Sequence, residues 1–320
     1  MKYWNYNQTI PMFWWHRGKL NMGDEASAYI VRHLTPNTVV RVGIPSTIKK
    51  SFFDVLRSIK SCKQPSLKSF FRTLFDNTPF LVSLGSIITY SNKHGIIWGS
   101  GFQTKEYKFN GGILLAVRGY ETVKELKHRG ITPPHCIGDP GLLMPLIFRP
   151  HVSHTCDIGL IPHIREYDSV RRIADKYGYK AINMETDDVE GAISEILQCR
   201  CILSSSLHGL IFAQSYGIPA LFFIHEHKGE GLFKYNDYFG SVGIKSYMPY
   251  DLKQLIIEKG NELSQFIINH NEANIKEDLI NLQRFLLSVA PFPMYDSFED
   301  KIEQSLSEEI EYLRLLKERD

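Results

Sequence analysis

Short, unbroken apolar runs alternating with helical stretches constrain this chain more than any other feature. Phe80-Leu81-Val82-Ser83-Leu84, Gly95-Ile96-Ile97-Trp98 and Ile113-Leu114-Leu115-Ala116-Val117 mark the first half. Ile158-Gly159-Leu160-Ile161, Cys201-Ile202-Leu203 and Ala220-Leu221-Phe222-Phe223-Ile224 mark the second. A strand that is apolar on both faces needs cover on both, which a parallel sheet flanked by helices provides. Helical patterns fall between the runs: one after Asn21, with Ala28, Tyr29, Val31 and Leu34 on one side, and others over 121–128, 169–177, 188–199 and 208–216. Gly130 and Gly217 stop two of them. A further strand is expected over 38–42. Gly138-Asp139-Pro140-Gly141 and Arg149-Pro150 read as a seam. The expectation is an α/β protein of two Rossmann-like lobes, 1–150 and 151–250, followed by a helical tail over 251–320 whose last helix spans about 297–317. The apolar stripe of that last helix reads as core-facing, with a partner or membrane surface as the other reading.

At 320 residues the chain is long enough for two domains. Lys and Arg total 37 against 35 Asp and Glu, a net charge of +2, so nothing global points to nucleic acid and any anion site must come from local placement. Five cysteines (Cys62, Cys136, Cys156, Cys199 and Cys201) form no CxxC pair. They read as reduced thiols rather than as a zinc site or a disulfide framework. Met1-Lys2-Tyr3-Trp4-Asn5-Tyr6 lacks the apolar core of a secretion signal, and no run approaches the length of a membrane span. A cytoplasmic location follows, with attachment to the inner face of the plasma membrane left open.

Chemistry concentrates in Ser204-Ser205-Ser206-Leu207-His208-Gly209, where a buried strand passes into a buried helix. The start of a helix leaves backbone N–H groups unpaired and carries the positive end of the dipole, so Ser206, Leu207 and Gly209 are candidates to hold an anion. His208 is the candidate acid/base beside it; its other reading is a histidine filling the seam. Gly209 allows close backbone approach to a ligand, or only tight helix–strand packing. Arg118 ends an apolar strand and can fork onto a carboxylate or phosphate, or pair with Glu121 or Asp139. Asn21, Gly23 and Asp24 open the first helix. Asp24 is a candidate to orient or deprotonate a hydroxyl, although Asn and Asp are also ordinary N-caps. Arg17 and Lys19 precede them as cleft cations or solvated charges. His163 follows a strand end, Gly85-Ser86 makes a tight turn, and Lys234 and Asp237 lie in what reads as a loop near His225 and His227. A loop of that composition suits a sugar or a phosphate. Gly99-Ser100-Gly101 begins a dinucleotide fingerprint, but Thr104 stands where its third glycine belongs. Walker A, HExxH and GxSxG sequences are absent.

Taken in order, Asn21-x-Gly23-Asp24, Leu84-Gly85-Ser86, Trp98-Gly99-Ser100-Gly101, Val117-Arg118-Gly119, Gly138-Asp139-Pro140, Ile161-Pro162-His163 and the Ser204–Gly209 block resemble the bacterial polysaccharide pyruvyl transferases. The resemblance implies a fold similar to the GT-B glycosyltransferases, with the acceptor on the first lobe and the donor on the second. It implies phosphoenolpyruvate as donor substrate, no separate cofactor and no metal. The acceptor it implies is a hydroxyl pair on a sugar of a capsule, exopolysaccharide or O-antigen precursor, whether or not lipid-linked, and the product a pyruvate ketal. Many relatives carry Arg-Leu-His where this chain has Ser206-Leu207-His208. Another cation must then replace that arginine, or the helix N-terminus acts alone, or the donor differs. A nucleotide-sugar glycosyltransferase on the same fold and a non-catalytic glycan-binding relative are the rival readings.

Overall fold

The computed structural model describes residues 2–16, 20–43, 77–226 and 231–295. Its first sheet contains β1 (Ile10–Phe13), β2 (Val39–Arg41), β3 (Phe80–Val82), β4 (Gly95–Ser100), β5 (Ile113–Val117) and β6 (Cys136–Ile137). They lie in the order β2-β1-β3-β4-β5-β6, and every pairing is parallel. The second contains β7 (Cys156–Ile161), β8 (Lys180–Ala181), β9 (Cys199–Ser204), β10 (Ala220–Ile224) and β11 (Tyr250–Asp251), in the order β11-β10-β9-β7-β8, again all parallel. The two lobes therefore repeat one winding. In each, strand order reverses between the first strand and the third, at β1/β3 and at β7/β9. Loops leaving the carboxyl ends diverge at such a point and open a crevice.

The helices are α1 (Met22–Leu34), α2 (Tyr120–His128), α3 (Met144–Ile147), α4 (Tyr167–Tyr177), α5 (Val189–Leu197), α6 (Leu207–Ser215), α7 (Phe233–Ser241), α8 (Leu252–Lys259), α9 (Leu263–Asn269) and α10 (Leu279–Ser288). α1 shows why they form where they do. Asn21 caps it by accepting the Gly23 N–H (3.0 Å), Asp24 and Glu25 occupy its first turn, and Arg32 and His33 its last, complementing the dipole at both ends. Met22, Ala26, Ile30, Val31 and Leu34 form its buried face. α6 is buried nearly all round and ends at Gly217, whose φ of +76° favours glycine.

One apolar cluster runs through both lobes, joining Trp98, Leu142 and Met144 to Ile161, Ile193, Leu210 and Phe212. α10 returns to the first lobe: Trp98 Nε1 donates to Leu286 O (2.9 Å) and Gln283 Nε2 to Leu142 O (2.8 Å). These buried hydrogen bonds tie α10 to the first lobe.

Residues 234–238 differ from the loop expected of them, because they lie in α7. Tyr235, Tyr238 and Phe239 recur at helical spacing and are buried, which gives the segment an apolar face to dock. The helix expected over 297–317 lies outside the described residues, as do Arg17, Lys19 and His227.

Candidate active site

A cleft of about 480 Å³ lies between the carboxyl ends of the two sheets. The first lobe contributes Trp15, Asn21 and Asp24 after β1, Ser86, Ile87 and Tyr90 after β3, and Gln103 after β4. The second contributes His163, Ile164 and Arg165 after β7, Ser206, Leu207 and His208 after β9, and Lys234 from α7. Both switch points thus open onto one space.

The second lobe presents the start of α6. Ser206 is the N-cap residue, in extended conformation (φ −97°, ψ 129°), but its side chain makes no capping hydrogen bond. The first N–H groups of the helix lack intrahelical acceptors, so the uncapped end faces the cleft as an anion-binding surface. The block is pinned from behind. Ser204 Oγ accepts the Ser206 N–H (3.1 Å), Ser205 Oγ accepts the His163 N–H (2.9 Å) and donates to Glu166 Oε2 (2.9 Å), and Tyr235 OH donates to Ser205 O (2.8 Å). Gly209 serves packing. A Cβ there would lie 2.4 Å from Ser204 Oγ and 2.7 Å from Ile161 Cγ2, so helix and strand approach too closely for a side chain.

The two lobes meet at Gly23 and His208. A Cβ on Gly23 would sit 1.9 Å from His208 Nδ1, so only glycine lets the start of α1 close over the imidazole. Burial, reinforced by the charges of Arg118 and Lys234, lowers the His208 pKa from 6.5 to about 3, and the ring is neutral at physiological pH. Its Nε2 is buried and makes no hydrogen bond among the described residues. Asp24 is shifted the other way. Burial and the neighbouring Glu25 raise its pKa from 3.8 to about 7, against the pull of Lys234. A carboxyl that exchanges its proton near neutrality thus stands beside a neutral imidazole, a separation that marks acid/base sites.

Arg118 is placed differently from expectation. It is fully buried, and its partner is neither Glu121 nor Asp139: Nε donates to Asp237 Oδ2 (2.9 Å), Nη1 to Ser86 Oγ (2.6 Å) and Nη2 to Phe102 O (2.6 Å). Asp237 also accepts the N–H and hydroxyl of Thr122, both at 2.7 Å. These two residues therefore form a satisfied pair behind the cleft rather than contacts within it. Arg118 nonetheless reaches the cleft through Ser86, whose hydroxyl accepts from the guanidinium and so has its own proton to donate. Gly85, with φ +110°, makes the turn that presents Ser86, and its carbonyl is taken by Gly101 N (3.1 Å) and Ser100 Oγ (2.8 Å). His163 lines the cleft, and its Nδ1 accepts the Arg165 N–H at 3.3 Å.

Sequence reasoning passed over Arg165, Trp15, Tyr90, Gln103 and Glu166. Arg165 had a signal, standing two residues beyond His163 on the loop leaving an apolar strand. Glu166 had none, since a glutamate at a helix start reads as solvated, yet it is buried and accepts both the Ser205 hydroxyl and the Glu226 N–H (2.9 Å). Among the described residues no group of three His, Cys, Asp or Glu is placed to hold a metal ion, and no helix is long and apolar enough to cross a membrane.

Paired parallel α/β lobes with an uncapped helix start and a carboxyl of raised pKa in the crevice between them define a class suited to group transfer. The chain belongs to the polysaccharide pyruvyl transferase family, whose profile matches residues 21–227. That span opens at the cap of α1 and closes just past β10, enclosing Asp24, Ser86, Arg165 and His208. The chain is also 34% identical over 157 residues to an uncharacterised protein of Acanthamoeba polyphaga mimivirus, a match covering 44% of this chain and 52% of the viral protein. The chain spans about half the length of that curated relative.

Proposed function

We propose that this protein transfers pyruvate from phosphoenolpyruvate to two hydroxyls of a sugar in a cell-surface polysaccharide or its precursor, forming a cyclic ketal, on two lobes arranged as in the GT-B fold. The observation carrying this reading is the union of an uncapped helix start, two cations and a proton-exchanging carboxyl in one cleft. Arg165, Lys234, the start of α6 and the Ser86 hydroxyl hold the carboxylate and phosphate of the donor. Lys234 and Arg165 stand in for the arginine that relatives carry at Ser206. Protonated Asp24 delivers a proton to the methylene carbon, and C2 gains cationic character. A sugar hydroxyl adds to C2, which makes its proton strongly acidic, and that proton passes to the neutral His208. The C2–O bond to phosphate breaks, and the second hydroxyl adds to C2. One hydroxyl proton restores Asp24 and the other leaves with phosphate, so the sum is phosphoenolpyruvate plus diol giving ketal plus inorganic phosphate. Positioned acid/base groups of this kind supply about 10²–10⁴ in rate.

A thermal-shift comparison tests the donor. Phosphoenolpyruvate at about 100 times its dissociation constant adds roughly 2.7 kcal/mol of stability. It is expected to raise the melting temperature, whereas UDP, GDP and CMP leave it unchanged. A shift with a nucleotide alone overturns the reading in favour of a nucleotide-sugar glycosyltransferase.

A further inference from the structure

The cleft has two unlike walls, and among the described residues its cations line only one of them. The second-lobe wall carries Arg165, Lys234 and the start of α6. The first-lobe wall carries Trp15, Tyr90 and Ile87, with the amide of Gln103 among them. The Trp15 and Tyr90 rings lie 5.3 Å apart at 39°, and Phe13 backs Tyr90 at 5.3 Å, so the pair forms a supported, angled aromatic surface. Trp4, Trp14 and Trp98 are all buried in the core, whereas Trp15 is half-buried and faces the opening. A large aromatic held at the edge of a polar cleft leaves apolar area exposed that its neighbours do not cover, and this marks a contact surface.

We propose that Trp15 and Tyr90 form a pyranose-binding subsite, on which the apolar C–H face of one sugar ring of the acceptor lies while Gln103 meets a ring hydroxyl. The inference rests on the pyruvyl-transfer reading for the identity of the acceptor, but the subsite binds sugar without donor. A pyranose offers the chemistry this wall asks for: a flat face of C–H groups edged by hydroxyls. The cleft volume of about 480 Å³ falls in the range that holds a drug-sized ligand, so there is room for a sugar beside the small donor. The wall shares the cleft with Asp24 and His208. A ring seated there directs a hydroxyl pair toward the groups that move protons. The aromatic pair thus selects the acceptor, and the second lobe selects the donor.

Saturation-transfer NMR with the methyl glycosides of galactose, glucose and mannose, recorded without phosphoenolpyruvate, tests the subsite. At least one glycoside is expected to receive saturation, strongest at the C–H protons of one ring face. Trp15→Phe retains the signal, Trp15→Ala weakens binding about tenfold, and Gln103→Ala, a change at the surface that leaves the core intact, weakens it severalfold. Trp15→Ala keeps its melting-temperature response to phosphoenolpyruvate. The subsite is overturned if no glycoside receives saturation, if the signal survives both alanine variants unchanged, or if uridine takes it up in place of the sugars. The melting-temperature response to phosphoenolpyruvate tests the donor separately, so either half can fail alone.

Discussion

Replacing Asp24 by Asn isolates the proton that the cleft holds. The folded chain keeps a proton on Asp24 up to about pH 7, while the unfolded chain releases it near 3.8. Between those values the folded state binds more protons, so this group makes stability fall as pH rises, by roughly 1.4 kcal/mol per pH unit. Above pH 7 the whole penalty of about 4 kcal/mol is present, because the carboxylate is then ionised in a site that disfavours it. His208 acts in the opposite sense. Its folded pKa is about 3 against an ordinary 6.5, so its contribution is complete above 6.5 and is lost as pH falls toward 3. Buried Asp139, raised to about 6, adds to the Asp24 slope below that pH. The slopes oppose one another between about pH 4 and 6.5, and the wild-type curve alone is a poor reporter. The difference between variant and wild type cancels His208 and Asp139. Urea unfolding at pH 4.5, 6, 7 and 8 is expected to show Asp24→Asn gaining on the wild type as pH rises, by about 3 kcal/mol across the series, since about 1 kcal/mol of the penalty is already present at pH 4.5. Because burial is the main cause, 0.5 M salt leaves most of that gain in place. A difference that stays constant across the series, or that runs the other way, refutes the argument that Asp24 is held protonated by its surroundings.

Three further changes probe the neighbouring groups. Gly23→Ala places a methyl within bonding distance of the His208 ring and close to its Cβ, so it is expected to cost about 1–3 kcal/mol by overpacking and to abolish the melting-temperature response to phosphoenolpyruvate; a stable variant that still responds contradicts the Gly23–His208 contact. Arg118→Met leaves Asp237 buried and unpaired and is expected to cost about 3–5 kcal/mol in urea unfolding, which an ordinary surface loss well under 1 kcal/mol would refute. Lys234→Ala removes a cleft cation, so phosphoenolpyruvate affinity by calorimetry is expected to fall about 10- to 100-fold with the fold intact, and an unchanged affinity removes Lys234 from the donor site.

Most of the sheet architecture was legible because strand runs such as Gly95–Ser100 are buried over their whole length and so are apolar throughout. Expected helices matched where a cap or a glycine stop marked one end of a periodic stretch: Asp188 caps α5, and Gly178 at φ +72° ends α4. α7 was misread because its chemistry-bearing residues, Lys234 and Asp237, sit among aromatics in a short segment whose period shows only once its packing is known. The brief strands β6 and β11, two residues each, carry too little pattern to be seen in advance. Their pairing is imposed by neighbours rather than by propensity.

The site was legible in part, and the missing part has one physical cause. Local sequence marks groups that a turn or a helix start presents, which is why Asp24, Ser86, Ser206 and His208 were found and do line the cleft. Local sequence does not mark where a long side chain ends. Arg118 ends in a buried pair with Asp237, 119 residues away, and acts on the cleft only through the Ser86 hydroxyl and through its field on His208. Its charge is satisfied, so it lowers the proton affinity of the imidazole without offering a ligand contact. Lys234 and Arg165 do line the cleft, from α7 and from the loop after β7. In this chain the cationic duty that a single arginine beside His208 would perform is therefore divided. Burial, with the field of the guanidinium added to it, keeps the imidazole neutral, and two separate side chains line the cleft where the proposed donor would lie. That division predicts a specific compensation. Ser206→Arg adds a cation on the cap of α6 and should restore donor affinity to Lys234→Ala while leaving Arg118→Met as unstable as before, because only the first of those losses is a loss of charge at the cleft. Calorimetry on Lys234→Ala with and without Ser206→Arg decides it, and no gain in affinity would show that the cap position does not reach the donor.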